Sequence, residues 1–470
     1  MAFGVALAVC TAVTIVSQPS DGVAAEYRLE QSVGTRISFT DNVDLDPDGE
    51  KDPGVVNTLS YGTEFSATGR RLTLSLSSDL GVESENASGL SFEQDVRAFA
   101  SAEIFEDFLF LDANASSNQA VIDSASPVSG SRGADEDDTA SVHILEVVPY
   151  VRQRFGRWAD AELRARHTET LVTGEDDDDD TSDERDMQQT LTVTSGNALN
   201  RLGLELELDR QKTVLLDRDD PGNELEERLG SLTTNYAFSR FFTGIVRFGY
   251  VDVDLDGTRD LDGPLWDVGF QLNGTRGSLL LTYGRRYDDD RIEAQLNYAV
   301  TPRWRVFGSL DRTLDTSLSS AARERRGDPL DPTIGLDPSE FGQDLDEGAS
   351  LVYSGRLGIA GDYGRDTFGI TSTYTDREFE ARTETTVTLN ANWSRELSRD
   401  LSSSLSLEAS DVDSDDDDSE QTLAGTARIS YNIAENARVF TGFSRTQRFT
   451  ETASDEYTEN VIFFGGRLGF

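Results

Sequence analysis

The chain has 470 residues, of which only 37% are hydrophobic, and a formal net charge of -45. Past the first sixteen positions no run approaches the roughly 18 apolar residues that a membrane-spanning helix needs, which excludes a helical membrane protein. The acidic excess excludes nucleic acid as a partner, and the length exceeds what one ordinary globular core organises.

In chain order, Met1 to Val16 is apolar and almost uncharged, and the small residues Val23-Ala24-Ala25 precede Glu26. This predicts a signal peptide over 1–25 with cleavage after Ala25, although the usual positive n-region is missing. The single cysteine, Cys10, falls inside the leader. A lipoprotein site at Leu7-Ala8-Val9-Cys10 is the alternative, and Val9 fits it poorly.

From Tyr27 the apolar residues recur at every second position, the period of a half-buried strand. Tyr27, Leu29, Val33, Ile37 and Phe39 share one face; Leu72, Leu74, Leu76, Leu80 and Val82 form the next stripe. Leu202, Leu204, Leu206 and Leu208 alternate with Gly203, Glu205, Glu207 and Asp209. Further stripes start at Phe242, Trp266, Ile292 and Leu401, and a helical period fits none of them. Asp160, Glu162, Arg164 and Arg166 alternate with Ala159, Ala161, Leu163 and Ala165, which predicts a polar inner face carrying cross-strand Arg-carboxylate pairs.

The connections alternate in length. Short turns are expected near 68–71, 106–107, 155–157, 197–200, 239–241, 273–277, 301–303, 361–365, 396–399 and 434–436. Longer polar segments lie near 40–54, 84–91, 117–142, 173–186, 211–226, 252–263, 286–291, 313–348, 375–385, 411–421 and 446–459. Short periplasmic turns and long external loops are the habit of bacterial outer-membrane barrels. The prediction is therefore an all-β protein: one transmembrane antiparallel up-and-down β-barrel over 26–470. It should have about 22 strands (range roughly 16 to 22), long acidic extracellular loops and a place in the cell outer membrane. Segments 108–116 and 349–360 are its weakest strands. The last segment places Ile462, Phe464, Leu468 and Phe470 on one face, and a terminal aromatic strand resembles the signal read by the barrel insertion machinery, with Phe470 as its key residue. Phe105, Phe108, Phe155, Trp158, Phe241, Phe242, Trp304 and Trp393 gather beside the turns as an interfacial girdle would.

Motifs that carry chemistry are scarce. There is no GxSxG elbow, HExxH pair or P-loop, and the only histidines are His143 and His167, so no catalytic residue is expected. His167 with Thr168 and Glu169 is the one faint nucleophile-base grouping. Acid runs at 176–180, 288–290 and 415–418 read first as solvated external loops. Asp44, Asp46 and Asp48 before Gly49, and Asp252, Asp254 and Asp256 before Gly257, space carboxylates as calcium loops do. Val55 and Gly263 stand where the twelfth-position Glu would be, so Ca2+ in the external loops is an expectation for these residues and no other cofactor is expected. Arg323, Arg325 and Arg326 are the only basic cluster in the longest loop. Folded inward, that loop would narrow the lumen and its arginines would attract an anionic solute; left outside, it is an ordinary surface loop.

Thr40-Asp41-Asn42-Val43-Asp44-Leu45, Gly69-Arg70-Arg71-Leu72, Glu106-Asp107-Phe108-Leu109-Phe110-Leu111-Asp112-Ala113 and Pro149-Tyr150-Val151-Arg152-Gln153-Arg154-Phe155-Gly156 resemble the outer-membrane protein family associated with the PEP-CTERM and exosortase system. The match is clearest over the first 170 residues or so. What the resemblance implies is a porin-like channel or scaffold linked to exopolysaccharide export and envelope assembly. Its expected partners are outer-membrane lipid and lipopolysaccharide, the insertion machinery, exopolysaccharide and its export components. The family pattern offers no catalytic residue. A general diffusion porin is the main alternative. A TonB-dependent receptor fits the strand number, but strand one is expected to begin almost at the cleavage site, leaving no plug domain before the barrel; a surface calcium-binding structural protein is a further rival.

Overall fold

A strand in lipid has no water to satisfy its backbone, so it must find a partner on both sides. The computed structural model describes residues 26–86, 88–121, 128–129, 133–134, 139–173, 183–216, 224–255, 261–326, 349–379, 382–415, 419–452 and 456–470. The wall begins with β1 (Glu26–Thr40), β2 (Gly54–Thr68), β3 (Leu72–Glu85), β4 (Ser88–Phe105), β5 (Leu109–Val121), β6 (Thr139–Phe155) and β7 (Ala159–Thr173). It continues through β8 (Asp183–Ser195), β9 (Leu202–Leu216), β10 (Glu224–Ala237), β11 (Phe242–Leu255), β12 (Gly263–Asn273), β13 (Gly277–Arg286), β14 (Asp289–Thr301) and β15 (Trp304–Asp315). It ends with β16 (Ser350–Tyr363), β17 (Asp366–Glu378), β18 (Thr383–Glu396), β19 (Leu401–Ser414), β20 (Glu420–Ala434), β21 (Ala437–Thr450) and β22 (Tyr457–Gly469).

Each strand pairs antiparallel with its neighbours in sequence, and β1 pairs with β22, so the 22-stranded sheet closes on itself. The seam runs in register from Ser32 opposite Gly469 to Thr40 opposite Val461, and Phe470 exchanges backbone hydrogen bonds with Gln31. No helix among the described residues is long and apolar enough to cross a membrane. The strands need no such help, because their 10 to 18 residues match or exceed the 9–11 that a tilted strand uses to cross.

Side chains alternate across this wall as the hydrophobic stripes predict. Ile37 and Phe39 of β1, Leu206 and Leu208 of β9, Leu407 of β19 and Ile462 and Phe464 of β22 are exposed on the outer face. Ser38 and Thr40 are buried on the inner face between them. At the short-turn end Phe105, Phe155, Trp158, Phe238, Phe241, Tyr363 and Phe470 are all exposed, forming the aromatic belt that anchors a barrel at an interface. Inside, Arg152 meets Glu162 at 2.6 Å and Arg154 meets Asp160 at 2.9 Å, each pair directly opposite in the β6–β7 register.

All ten expected turns and eleven expected long connections fall between strands of this wall, and the two weak segments are β5 and β16. The external loops are shorter than the sequence suggested, because ladder pairing continues beyond the bilayer. At 286–291 only Tyr287 and Asp288 lie outside the strands. Both have positive φ (57° and 58°), as a two-residue hairpin of the primed type requires. Asp289 and Asp290 belong to β14, opposite Arg286 and Arg285. The leader at 1–25 and the acid run at 176–180 lie outside the described residues.

Leu407 points outward near the middle of β19, so Leu407→Arg should lower the unfolding free energy in lipid vesicles by about 2–4 kcal/mol. Ser406→Arg, one residue away on the inner face, should cost under about 1 kcal/mol in the same urea titration.

Candidate functional site

Inner positions of a wide barrel should be polar, yet at the long-loop end of β6 and β7 they are not. Ala140, Val142, Ile144 and Val172 all occupy inward positions and are buried. What covers them is the start of the longest loop: helix α1 (Ser317–Glu324) packs Leu318 and Ala322 onto this patch, forming one apolar cluster. Burying Leu318 to 2% exposure contributes about 2–3 kcal/mol to docking.

The helix is positioned at both ends. Thr316 caps its N-terminus, its Oγ1 accepting from the Ser319 amide at 3.0 Å while donating to the Glu184 carboxylate on β8. Ser319 Oγ donates to the other Glu184 oxygen at 2.6 Å. Beyond the helix, Arg326 donates through Nε and Nη2 to Glu146 of β6, at 2.8 and 2.6 Å to one oxygen. Glu146 is 3% exposed and also accepts from Asn114. Arg325 reaches Asp95 of β4 at 3.6 Å, and Arg323 turns back to Asp315 at 2.7 Å.

This anchoring deforms the barrel. The tops of β8 and β15 are seven strands apart, so a round wall would hold them tens of ångströms from each other. Instead Thr316, one residue past β15, is hydrogen-bonded to Glu184, the second residue of β8. The mouth is pinched, and the bay enclosed by β9–β14 is filled at its top by a second apolar cluster of Leu225, Val251, Leu261, Tyr287, Leu314 and Leu351. Tyr287 reaches down from its turn to donate to Glu227 at 3.0 Å, which offsets the strain of its positive φ. Residues 315–326 therefore cross the mouth from β15 to β4 along the inner wall.

Over its described residues the longest loop lies against the inner wall. There Arg323, Arg325 and Arg326 are matched to the carboxylates of Asp315, Asp95 and Glu146. Two apolar faces on one strand, from Val142 to Val148, were the sequence signal for something seated inside, since a strand covered on both sides loses its alternation.

The other candidate residues lie apart from this mouth. Asp44 and Asp48 are exposed on a loop organised by Asn42, which bonds both the amide and the carbonyl of Asp46, and Lys51 pairs with Asp48 at 2.7 Å. Asp252 and Asp254 sit in β11, not in a loop, and Asp252 accepts from Arg228; Asp256 lies outside the described residues. Among the described residues no group of three or more His, Cys, Asp or Glu is placed to hold a metal ion. His167 and Thr168 point to opposite faces of β7: His167 sits with Glu169 at 3.4 Å, whereas Thr168 is buried on the inner side opposite Glu146. That separation breaks up the nucleophile-base grouping.

A closed, antiparallel, 22-stranded cylinder with short turns at one end is the fold of outer-membrane β-barrels. No protein-family model and no curated protein sequence matches the chain. Among solved structures, the siderophore receptor PirA from Acinetobacter baumannii superposes with a TM-score of 0.52 at 7% identity, over 96% of this chain and 81% of that one. The ferric-catecholate import receptor Fiu from E. coli K12 gives 0.49 at 10% identity, over 97% and 82%. The siderophore receptor PirA from Pseudomonas aeruginosa gives 0.42 at 12% identity, over 97% and 81%. At such identities the likeness is one of fold.

Leu318→Ala removes most of the apolar contact of the helix and should weaken its docking by about 2–4 kcal/mol. Arg326→Ala should cost about 1–3 kcal/mol through lost charged hydrogen bonds. Both changes should speed amide exchange over 317–326 while the ladder of β15 and β16 stays protected.

Proposed function

We propose that this chain is a narrowed passive channel of the Gram-negative outer membrane, serving exopolysaccharide export and envelope assembly as the family resemblance implies. The observation that carries the reading is the docked segment 315–326. A barrel this wide would leak solutes if its mouth were open, and a short helix clamped to the inner wall restricts passage without filling the lumen. The polar, hydroxyl-rich inner face suits a hydrated polymer, since sugar hydroxyls exchange hydrogen bonds with Ser, Thr and Asn at little cost. Nothing in this role asks for catalysis. Outer-leaflet lipid with lipopolysaccharide, the insertion machinery and the export apparatus are the partners it requires, and Phe470, at the seam and in the aromatic belt, is suited to recognition during insertion.

A receptor for iron carriers is the second reading, favoured by the strand number and by the names of the solved neighbours. In that case the purified protein would bind ferric siderophore and conduct no current. The channel reading expects single-channel conductance in planar bilayers that rises at least twofold in the Leu318→Asp, Arg326→Ala double variant. A silent wild type and a silent variant would overturn it, as would a wild type already as conductive as the variant.

A further inference from the structure

We propose that the inner wall over β17, β18 and β19, with Phe307 of β15 at its margin, is a binding tract for uncharged sugar units, which deepens the channel reading above and rests on it. Five successive rows of inward positions cross these three strands, from Thr367, Ser394 and Ser404 nearest the short turns to Thr375, Thr386 and Val412. Twelve of the fifteen positions carry Ser, Thr or Asn, and Glu408 is the only charge among them. Over the whole chain 27% of residues are charged, so the tract is a local loss of charge on a wall that on β6 and β7 is lined with ion pairs. The charges on its two sides are of both signs, Arg356 and Asp362 on β16 and Arg428 and Glu420 on β20.

The lower rows are open to the lumen. Asn392, Ser394, Ser404 and Ser406 are exposed, and none of their side chains makes a hydrogen bond among the described residues. Gly369 leaves room for the Asn392 amide to lie against the wall, since a Cβ there would come within 2.1 Å of its Oδ1. Phe307 is half-buried and heads the row that continues through Gly358, Thr371 and Asn390. Its ring lies across Gly358, where a Cβ would meet three ring carbons at 2.4 to 3.0 Å. Arg305 from the row below and Arg356 from the row above lie 5.8 and 5.9 Å from the ring centroid and hold it in place.

A pyranose has an apolar C–H face and a rim of hydroxyls. The face covers an aromatic ring, and the rim exchanges hydrogen bonds with Ser, Thr and Asn directly or through water. Neither contact needs a charge. A carboxylate-bearing unit would shed part of its hydration against rows that offer it no cation and would face Glu408, a cost the tract does not offset. At about 3.3 Å per residue the five rows span roughly 26 Å along the strands, room for several sugar rings in line. A single sugar would engage only part of that length.

The test is calorimetric titration of the full chain, purified in a sugar-free detergent, with maltotetraose, with tetragalacturonate as the acidic oligomer of equal length, and with glucose. Maltotetraose should bind at least tenfold more tightly than either of the others. Phe307→Ala should weaken it at least fivefold and Phe307→Trp should retain it, whereas Phe440→Ala, on the inner face of β21 outside the tract, should leave it intact. Asn392→Asp, which puts a carboxylate among the lower rows, should weaken it at least threefold. Heat-modifiable gel mobility checks folding, and if Phe307→Ala fails that check Asn392→Asp carries the measurement. Absent maltotetraose binding, tetragalacturonate or glucose binding as tight, or folded Phe307→Ala and Asn392→Asp variants that bind normally would each overturn the proposal. Conductance without maltotetraose binding sinks the tract and leaves the channel reading, and binding without conductance does the reverse.

Discussion

Closure of the β1–β22 seam is the constraint on which everything else rests. An unsatisfied amide or carbonyl in hydrocarbon costs several kcal/mol, so an open sheet of 21 ladders with two bare edges has no stable place in a bilayer. The seam joins residues more than 400 positions apart in sequence. Until it forms, the outer edges of β1 and β22 stay unpaired in lipid, and once it forms the wall becomes a single hydrogen-bonded unit.

The same closure creates an interior that must be furnished. A ring of this size cannot fill its lumen with the side chains of its own strands, so the width becomes either a passage or a room for an inserted element. In this chain the wall is drawn in on itself at the long-loop end, and the start of the longest loop is laid on the wall where inward residues turn apolar. Charge is distributed to match. At the mouth, arginines from the loop are balanced by Glu146, Asp95 and Asp315, which fixes the segment at little net charge. Further down the wall, Arg36 and Arg428 lie over the rings of Phe463 and Phe440. The first arrangement holds the loop segment; the second supports the guanidinium groups on ring faces.

Much of the architecture was legible along the chain. Period-two stripes such as Leu202 to Leu208 report directly which face meets lipid, and the alternation of short and long connections reports the hairpin order, because both are local consequences of the pleat. The loops were read too long, since polarity marks where the bilayer ends and not where strand pairing ends, as Asp289 and Asp290 show. The aspartates before Gly49 and Gly257 share a spacing but not a local structure over their described members. Asn42 organises one segment, and β11 holds the described members of the other extended, a difference that spacing alone does not report.

By itself the sequence determined the class of fold, the order of the strands, the lipid-facing stripes of many of them and the inward Arg-carboxylate pairing of β7. Each of these follows from side chains two residues apart or from neighbours joined by a short turn. Only the tertiary structure decided that Thr316 meets Glu184, that Arg326 is spent on Glu146, and that Arg36 and Arg428 share one patch of wall. Those encounters depend on how a ring of 22 strands curves and where it is pinched, and curvature is set by all the strands acting together, a property that no local pattern encodes.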